Sequence, residues 1–430
     1  MTLRSRIFLI IGGVLIFAAT APVSIFFARG FTFDFANWKI VKTGTIVAKT
    51  DPRSADVFLG EKYLGSSPLT KRFVVPGEYA VKIKKTGYRD WQKNILVHEQ
   101  QINHIPVNLD KVYLLLEKNQ ETAASTTTQS LLVSAPGQIS YLENNSSWQI
   151  KTLDLTGNEQ NQDIKLAQTF TNPEILQKFG SETLISDRGQ NWYINSQNPE
   201  PLAVNLANPK LAGSNGAIFG IDKQNNLIKL STQGGSSEIL ENSIQNFAVA
   251  GDGTVYFLTR ENQPYLAHLD SAGKTKTKVI ETPTFTNSQI IISPANQIFL
   301  ILDGTLYSIN DTLQTINTNV KEAEWLSDAN GLFYKNDHEA WLYQPLATGQ
   351  NQLLARMSEP LGSVVYNPKI GYVFISSGQE IKAFEFDPEG QPNVYTLAQT
   401  KTANVAFTVS PDGSTLVYLD GQNLISLKLR

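Results

Sequence analysis

Cysteine is absent from the 430-residue chain, which excludes disulfides, zinc ribbons, iron–sulfur clusters and a thiol nucleophile. Histidine is nearly absent: His98, His104, His268 and His338 are scattered, with no two in H-x-x-x-H spacing. Charged residues make up only 17% of the chain, below the roughly 25% of an ordinary soluble domain. Lys and Arg number 36 against 39 Asp and Glu, a net charge of −3. That balance leaves no basic footprint for nucleic acid. Nor is there a P-loop, a dinucleotide fingerprint, an EF-hand loop or a Gly-x-Ser-x-Gly elbow. With no nucleophile–base constellation, the sequence points away from an enzyme and away from a bound cofactor or metal.

What is present is apolar and small-polar. Hydrophobic residues reach 41%, enough for a sizeable core, and the length exceeds that of one ordinary domain. Polarity comes from runs such as Asn144-Asn145-Ser146-Ser147 and Asn158-Glu159-Gln160-Asn161-Gln162. Such a composition suits short strands and turns better than solvent-facing helices.

The first 28 residues read as a tail and membrane anchor. Ile7 to Ala28 carries no charge over 22 residues, about 33 Å of helix against a hydrocarbon core of about 30 Å. Arg4 and Arg6 precede it and Arg29 follows, which favours the amino terminus inside and the remainder outside the cytoplasm. The alternative is a cleaved signal peptide with Ala19-Thr20-Ala21 as its site; Pro22 just after the cut opposes it. Residues 29–43 form a juxtamembrane segment. There Phe31, Phe33, Phe35 and Trp38 suit either an aromatic belt at the headgroups or a short strand packing on the next domain.

Residues 44–111 read as a small β-sandwich. Thr45-Ile46-Val47-Ala48 and Asp56-Val57-Phe58-Leu59 are short strands, and Pro76-Gly77 marks a turn before the alternating Tyr79-Ala80-Val81-Lys82-Ile83-Lys84. Asp51-Pro52-Arg53-Ser54-Ala55-Asp56-Val57-Phe58-Leu59-Gly60, Gly65-Ser66-Ser67-Pro68-Leu69, Val75-Pro76-Gly77-Glu78-Tyr79 and Gly87-Tyr88-Arg89-Asp90-Trp91 follow in order. Together they resemble the PEGA domain, an immunoglobulin-like sandwich, with Pro76-Gly77-Glu78-Tyr79 standing in for the name-giving tetrapeptide. The resemblance implies a non-catalytic envelope module. Lys82, Lys84, Lys85 and Arg89 form a basic cluster, read as a solvated strand face or as a contact for an anionic polymer.

Residues 129–430 repeat. An aromatic or branched residue opening an alternating strand recurs eight times, at Trp148, Trp192, Leu227, Tyr265, Leu306, Trp341, Ile381 and Leu424. That is 276 residues in seven steps, about 39 each, the period of a four-stranded propeller blade. Ser410-Pro411-Asp412-Gly413 before a β-run resembles the TolB-like and WD40-like propeller repeat. We therefore expect an all-β chain with a propeller of eight blades, or seven if the weak unit at Leu184-Ile185 and Trp192 is irregular. The last unit ends after its third strand. We expect residues 112–118, with Val112-Tyr113-Leu114-Leu115-Leu116, to supply its outer strand and close the ring, and the polar stretch 119–128 to be a linker.

No site residue stands out. Asp252 and Asp412 sit in turn contexts, where Asp bonds its own backbone. Glycosidase chemistry needs paired carboxylates in a cleft; pairs such as Glu322 and Glu324 exist but read as solvated acids flanking a strand turn. Trp148, Trp192 and Trp341 share one repeat position, a packing signature before a sugar-stacking platform. The resulting expectation is a single-pass protein held in the membrane by residues 7–28, its propeller presented to an envelope protein or polysaccharide, with no nucleic-acid partner. A glycan- or peptide-active propeller enzyme is the alternative.

Overall fold

The computed structural model describes residues 3–34, 38–105, 110–118, 120–125, 127–135, 137–155, 163–166, 168–196, 198–211, 217–232, 236–345, 351–386 and 392–430. Among these, one helix, Leu3–Ala28, precedes strands only. Two compact units meet in sequence at 118/119.

The helix of the first unit has no polar face, and its residues 10–28 are long and apolar enough to cross a membrane. A hairpin follows, Phe31–Asp34 against Lys39–Lys42. The sandwich then packs two sheets face to face. Gly44–Ala48 is flanked by Ile102–Ile105 and Leu69–Val74 in one; the other runs Lys62–Ser66, Asp56–Leu59, Gly77–Lys84, Trp91–Val97. Period-2 alternation sends Val81 and Ile83 inward beside Ile46, Val57, Trp91 and Val97, while Lys82 and Lys84 point out.

The second unit is a β-propeller: eight four-stranded antiparallel sheets follow one another among the described residues. Seven are built from four consecutive strands, such as Ile244–Val249, Val255–Thr259, Tyr265–Leu269 and Lys276–Glu281. The unit around Trp192 is complete, from Pro173–Phe179 to Asn198–Val204. All eight sequence landmarks fall on third strands.

The eighth sheet corrects one expectation. Its outer strand is Gln120–Ser125, paired antiparallel with Asn423–Lys428 from Gln120↔Lys428 to Ser125↔Leu424. The ring is thus closed by the stretch read as a linker, not by residues 112–118. Val112–Tyr113 instead pairs with Thr50–Asp51, and Val112 and Leu114 are buried in the sandwich core. Their apolarity served that core; an outer propeller strand, solvated along one edge, needs little.

Register exposes a repeat that residue types conceal. In five successive sheets the third and fourth strands slip by one residue at the same place. The skipped residues are Leu240, Val279, Ile316, Leu354 and Leu397, all aliphatic and again about 39 apart. At four of them the bulge sets an apolar residue against a packed face, Leu240 and Ile316 half-buried and Leu354 and Leu397 buried, while Val279 stays exposed.

Candidate binding face of the propeller

Because the strands of each sheet run antiparallel in sequence order, turns between first and second strands share one face of the ring with those between third and fourth. Turns between second and third strands share the opposite face with the links from sheet to sheet. We call the latter the link face.

An aspartate organises this link face in three sheets. Asp187 accepts hydrogen bonds from the N–H groups of Thr171 and Asn172, the latter at 2.7 Å. Asp303 accepts those of Thr286 and Asn287 at 3.0 and 2.8 Å. Asp420 accepts those of Lys401 and Thr402, both at 2.9 Å, and the Thr402 hydroxyl at 2.7 Å. Each carboxylate ends a second strand or, at Asp303, directly follows it, and pins the link entering its own sheet. Sequence reading missed them, although a signal existed: Asp303 and Asp420 stand directly before Gly304 and Gly421, Asp187 one residue further from Gly189, and the three are 116 and 117 residues apart, three repeats each time. The turn glycines take positive φ, +81° at Gly304, which suits the tight hairpin.

Burial pushes the Asp420 carboxyl up, but the Thr402 hydroxyl and the two N–H groups outweigh it and hold it below its ordinary value. Stability from this group is therefore present above the ordinary carboxylate range and lost as pH falls through its lowered value. Asp420→Ala should cost roughly 2–3 kcal/mol at pH 7, and the loss should shrink toward pH 3 in denaturant titrations.

An open pocket of about 680 Å³ lies on the link face between the fifth and sixth sheets. Asp303-Gly304 and the turn Asn336-Asp337-His338-Glu339 form two walls, and the link Asn319-Val320-Lys321 lies between them. Its charges are engaged. Asp303 holds the backbone as above, and Lys321 Nζ lies 2.5 Å from Asp337, whose carboxyl that bond holds low. Glu339 meets Arg356 at 2.5 Å and accepts from Trp341 Nε1 at 3.2 Å. Such a lining offers amides, backbone groups and paired charges to a polar ligand.

The first strands converge round the axis of the ring, and from the second sheet to the sixth polar side chains tie one to the next. Gln177 accepts from Leu211 N at 2.8 Å, Lys210 Nζ donates to Phe247 O at 2.8 Å, Asn246 to Ser288 O at 2.6 Å and Gln289 to Ala323 O at 2.7 Å. These bonds satisfy main-chain groups that no fifth strand reaches. Glu322 and Glu324 lie here. They do not flank a turn; both belong to the first strand Glu322–Leu326, and i, i+2 spacing puts them on one face. Glu322 pairs with Lys335 at 3.2 Å. Glu324 keeps solvent access, yet nearby protein strips water from it, and this desolvation together with the Glu322 charge raises its carboxyl above the ordinary value. The strain it adds is absent below the ordinary glutamate range and appears as pH rises through the raised value. Glu324→Gln should therefore melt higher than the parent at pH 8 and equal to it at pH 4.

The other residues singled out in the sequence make contacts close to home. Asp252 accepts from Thr254 N at 2.9 Å, and Asp412 from Ser414 N at 3.0 Å, so both bond their own turns. Trp148 Nε1 donates to Phe170 O at 2.8 Å, Trp192 meets the Phe170 ring edge-on at 5.9 Å, and Trp341 stacks on Tyr334. His268 packs against Tyr256 at 5.3 Å, and His338 is an exposed turn residue. Among the described residues no group of three His, Asp or Glu is placed to hold a metal ion.

Comparison with known proteins divides along the same line as the chain. Residues 43–112 match the PEGA domain family. No curated protein matches the chain. Among solved structures, the C-terminal WD40 domain of Sif2 aligns over 72% of this chain and 98% of its own, at 13% identity and a TM-score of 0.49. An oligogalacturonate lyase in complex with manganese aligns over 73% and 98%, at 10% identity and a TM-score of 0.44. The oligogalacturonate lyase of Vibrio parahaemolyticus aligns over 71% and 98%, at 9% identity and a TM-score of 0.42.

The PEGA domain accounts for its own basic cluster. Lys82 and Lys84 lie 3.5 and 3.1 Å from Asp90. Lys85 donates to Ser54 O at 3.2 Å, and Arg89 to Leu116 O at 3.0 Å. All four cations thus have a partner within the first unit.

Proposed function

We propose that the chain is a membrane-anchored binding or scaffold protein. Residues 7–28 hold it in the membrane, Arg4 and Arg6 mark the inner side, and the PEGA domain and propeller stand outside the cytoplasm. The propeller serves as the platform for an envelope protein or polysaccharide. The observation that carries this reading is the link-face pocket: it is open and polar, and its charged side chains are already committed to backbone, ion-pair or indole partners. Groups so engaged suit recognition by hydrogen bonding better than proton transfer.

The test is capture of isolated envelope polysaccharide and peptidoglycan-derived peptide fractions by the purified full chain, beside a His338→Trp variant that crowds the pocket from an exposed turn position. Retention by the parent, at least tenfold weaker in the variant with an unchanged propeller melting temperature, supports the reading. Equal retention by both sinks the pocket as the site. One arrangement favours a glycan- or peptide-active enzyme instead: Glu322 and Glu324 share one face of a first strand, where desolvation and the Glu322 charge push the Glu324 carboxyl up. Cleavage products from a retained fraction, lost in Glu324→Gln, would establish that alternative.

A further inference from the structure

The helix passes into the PEGA unit without a linker. Gly30 turns the chain at φ +77°, and its carbonyl accepts both the N–H and the hydroxyl of Thr43 at 2.8 Å, fixing the base of the hairpin. Phe31↔Lys42 and Phe33↔Ile40 are cross-strand partners, so Phe31, Phe33 and Ile40 share one face. Phe35 lies outside the described residues. Phe33 meets Trp38 edge-on at 5.9 Å, yet Trp38 is 80% exposed and Ile40 60% exposed. The segment is thus a short strand pair that turns its aromatic face outward.

A second apolar group comes from the sandwich itself. In the pairing of Leu69–Val74 with Gly44–Ala48, Val74 faces Gly44 and Lys71 faces Ile46. Arg72 and Phe73 together stand opposite the single residue Thr45, a bulge. Phe73 adopts φ +59°, a conformation that costs a bulky residue energy. The result is a phenylalanine turned away from the core, 50% exposed, between exposed cations and the end of the helix.

Both groups touch that end. Phe31 stacks on Phe26 at 5.5 Å, and Phe73 meets Phe27 edge-on at 6.2 Å. A 22-residue run from Ile7 brings Phe26 and Phe27 to the far edge of a hydrocarbon layer about 30 Å thick, where a headgroup layer roughly 5–7 Å deep begins. Groups in ring contact with those residues lie in that layer. Trp beside Lys and Arg is the composition it favours, and Arg29, Lys39, Lys42, Lys71 and Arg72 supply cations for lipid phosphates.

We propose that the hairpin face and the Arg72-Phe73 bulge form a foot seated in the lipid headgroup layer, a second membrane contact that holds the PEGA domain against the bilayer. This rests on the reading of residues 7–28 as a spanning anchor. The absence of native cysteine permits a direct test. Trp38→Cys, Phe73→Cys, Phe17→Cys and Tyr63→Cys, each in the full chain, are spin-labelled and reconstituted into phosphatidylcholine vesicles with one quarter phosphatidylglycerol. Collision with oxygen is then compared with collision with an aqueous nickel chelate. Position 17 should be deep and position 63 aqueous, and positions 38 and 73 should show nickel accessibility at least threefold below that of 63. A deep position 17 with 38 and 73 as aqueous as 63 overturns the foot and leaves the anchor standing. An aqueous position 17 overturns the anchor and the foot with it. Protection at 38 and 73 that vanishes at one chain per vesicle would assign the surface to a second copy and overturn lipid as its occupant.

Discussion

Prolines at Thr122 and Ala123 should open the propeller ring and lower its melting temperature by roughly 6–12 °C. The two positions are consecutive in the strand that pairs with Asn423–Lys428. In an antiparallel ladder neighbouring N–H groups point to opposite sides, so one of the two prolines must remove a bond that closes the ring. Losing that bond and distorting the strand costs about 3 kcal/mol, and each kcal/mol shifts a large domain by about 2–4 °C. Calorimetry of the full chain gives the value. An unchanged transition would show that some other segment completes the eighth sheet. The converse variant, Thr122→Cys with Ser426→Cys, places two thiols on facing residues; the oxidised form should melt above the reduced one. Val112→Pro, by contrast, should lower only the transition of the sandwich, because Val112 is buried there.

Trp91→Ala should abolish independent folding of the PEGA domain while the propeller transition survives. Trp91 is 1% exposed and among the largest fully buried side chains, in a core it shares with Ile46, Val57, Val81 and Ile83. Truncating such a residue costs about 3–5 kcal/mol. A domain of 70 matched residues has a total stability of only about 4–10 kcal/mol. The change therefore removes a large share of it. The readout is the loss of one calorimetric transition together with proteolytic cleavage confined to residues 43–112; a chain that still resists protease there would contradict the assignment of Trp91 to the core.

The sequence made legible whatever depended on apolar pattern or on turn chemistry. A charge-free run with no polar face can only be a helix that seeks an apolar surrounding. Third strands were visible because each carries a branched or aromatic residue into the core between sheets, as Leu227, Leu306 and Leu424 do. The closing strand was misread for the opposite reason. Residues 121–124 are exposed, so nothing selects for alternation there, and small polar residues in a strand look like a linker. Val112 and Leu114 misled in turn, since apolarity shows that a residue is buried but not in which domain. The link-face pocket had no signature of its own: Asp303, Asn319 and His338 come together only because the ring sets two neighbouring turns side by side. The three clamping aspartates were within reach, through a spacing of three repeats rather than one.

Ring closure also fixes an order of events during folding. Glu121 faces Leu427 across 306 residues, so the first propeller strand to be synthesised is among the last to find its partner. The entropy of closing so long a loop grows only slowly with length, so the final state suffers little. The wait is another matter: an unpaired strand edge is a template for joining other chains. Gln120-Glu121-Thr122-Ala123-Ala124-Ser125 contains no large apolar side chain and carries a charge, which makes it a poor nucleus for aggregation. The blandness that hid this strand from pattern reading is what allows it to remain single while the other seven sheets assemble.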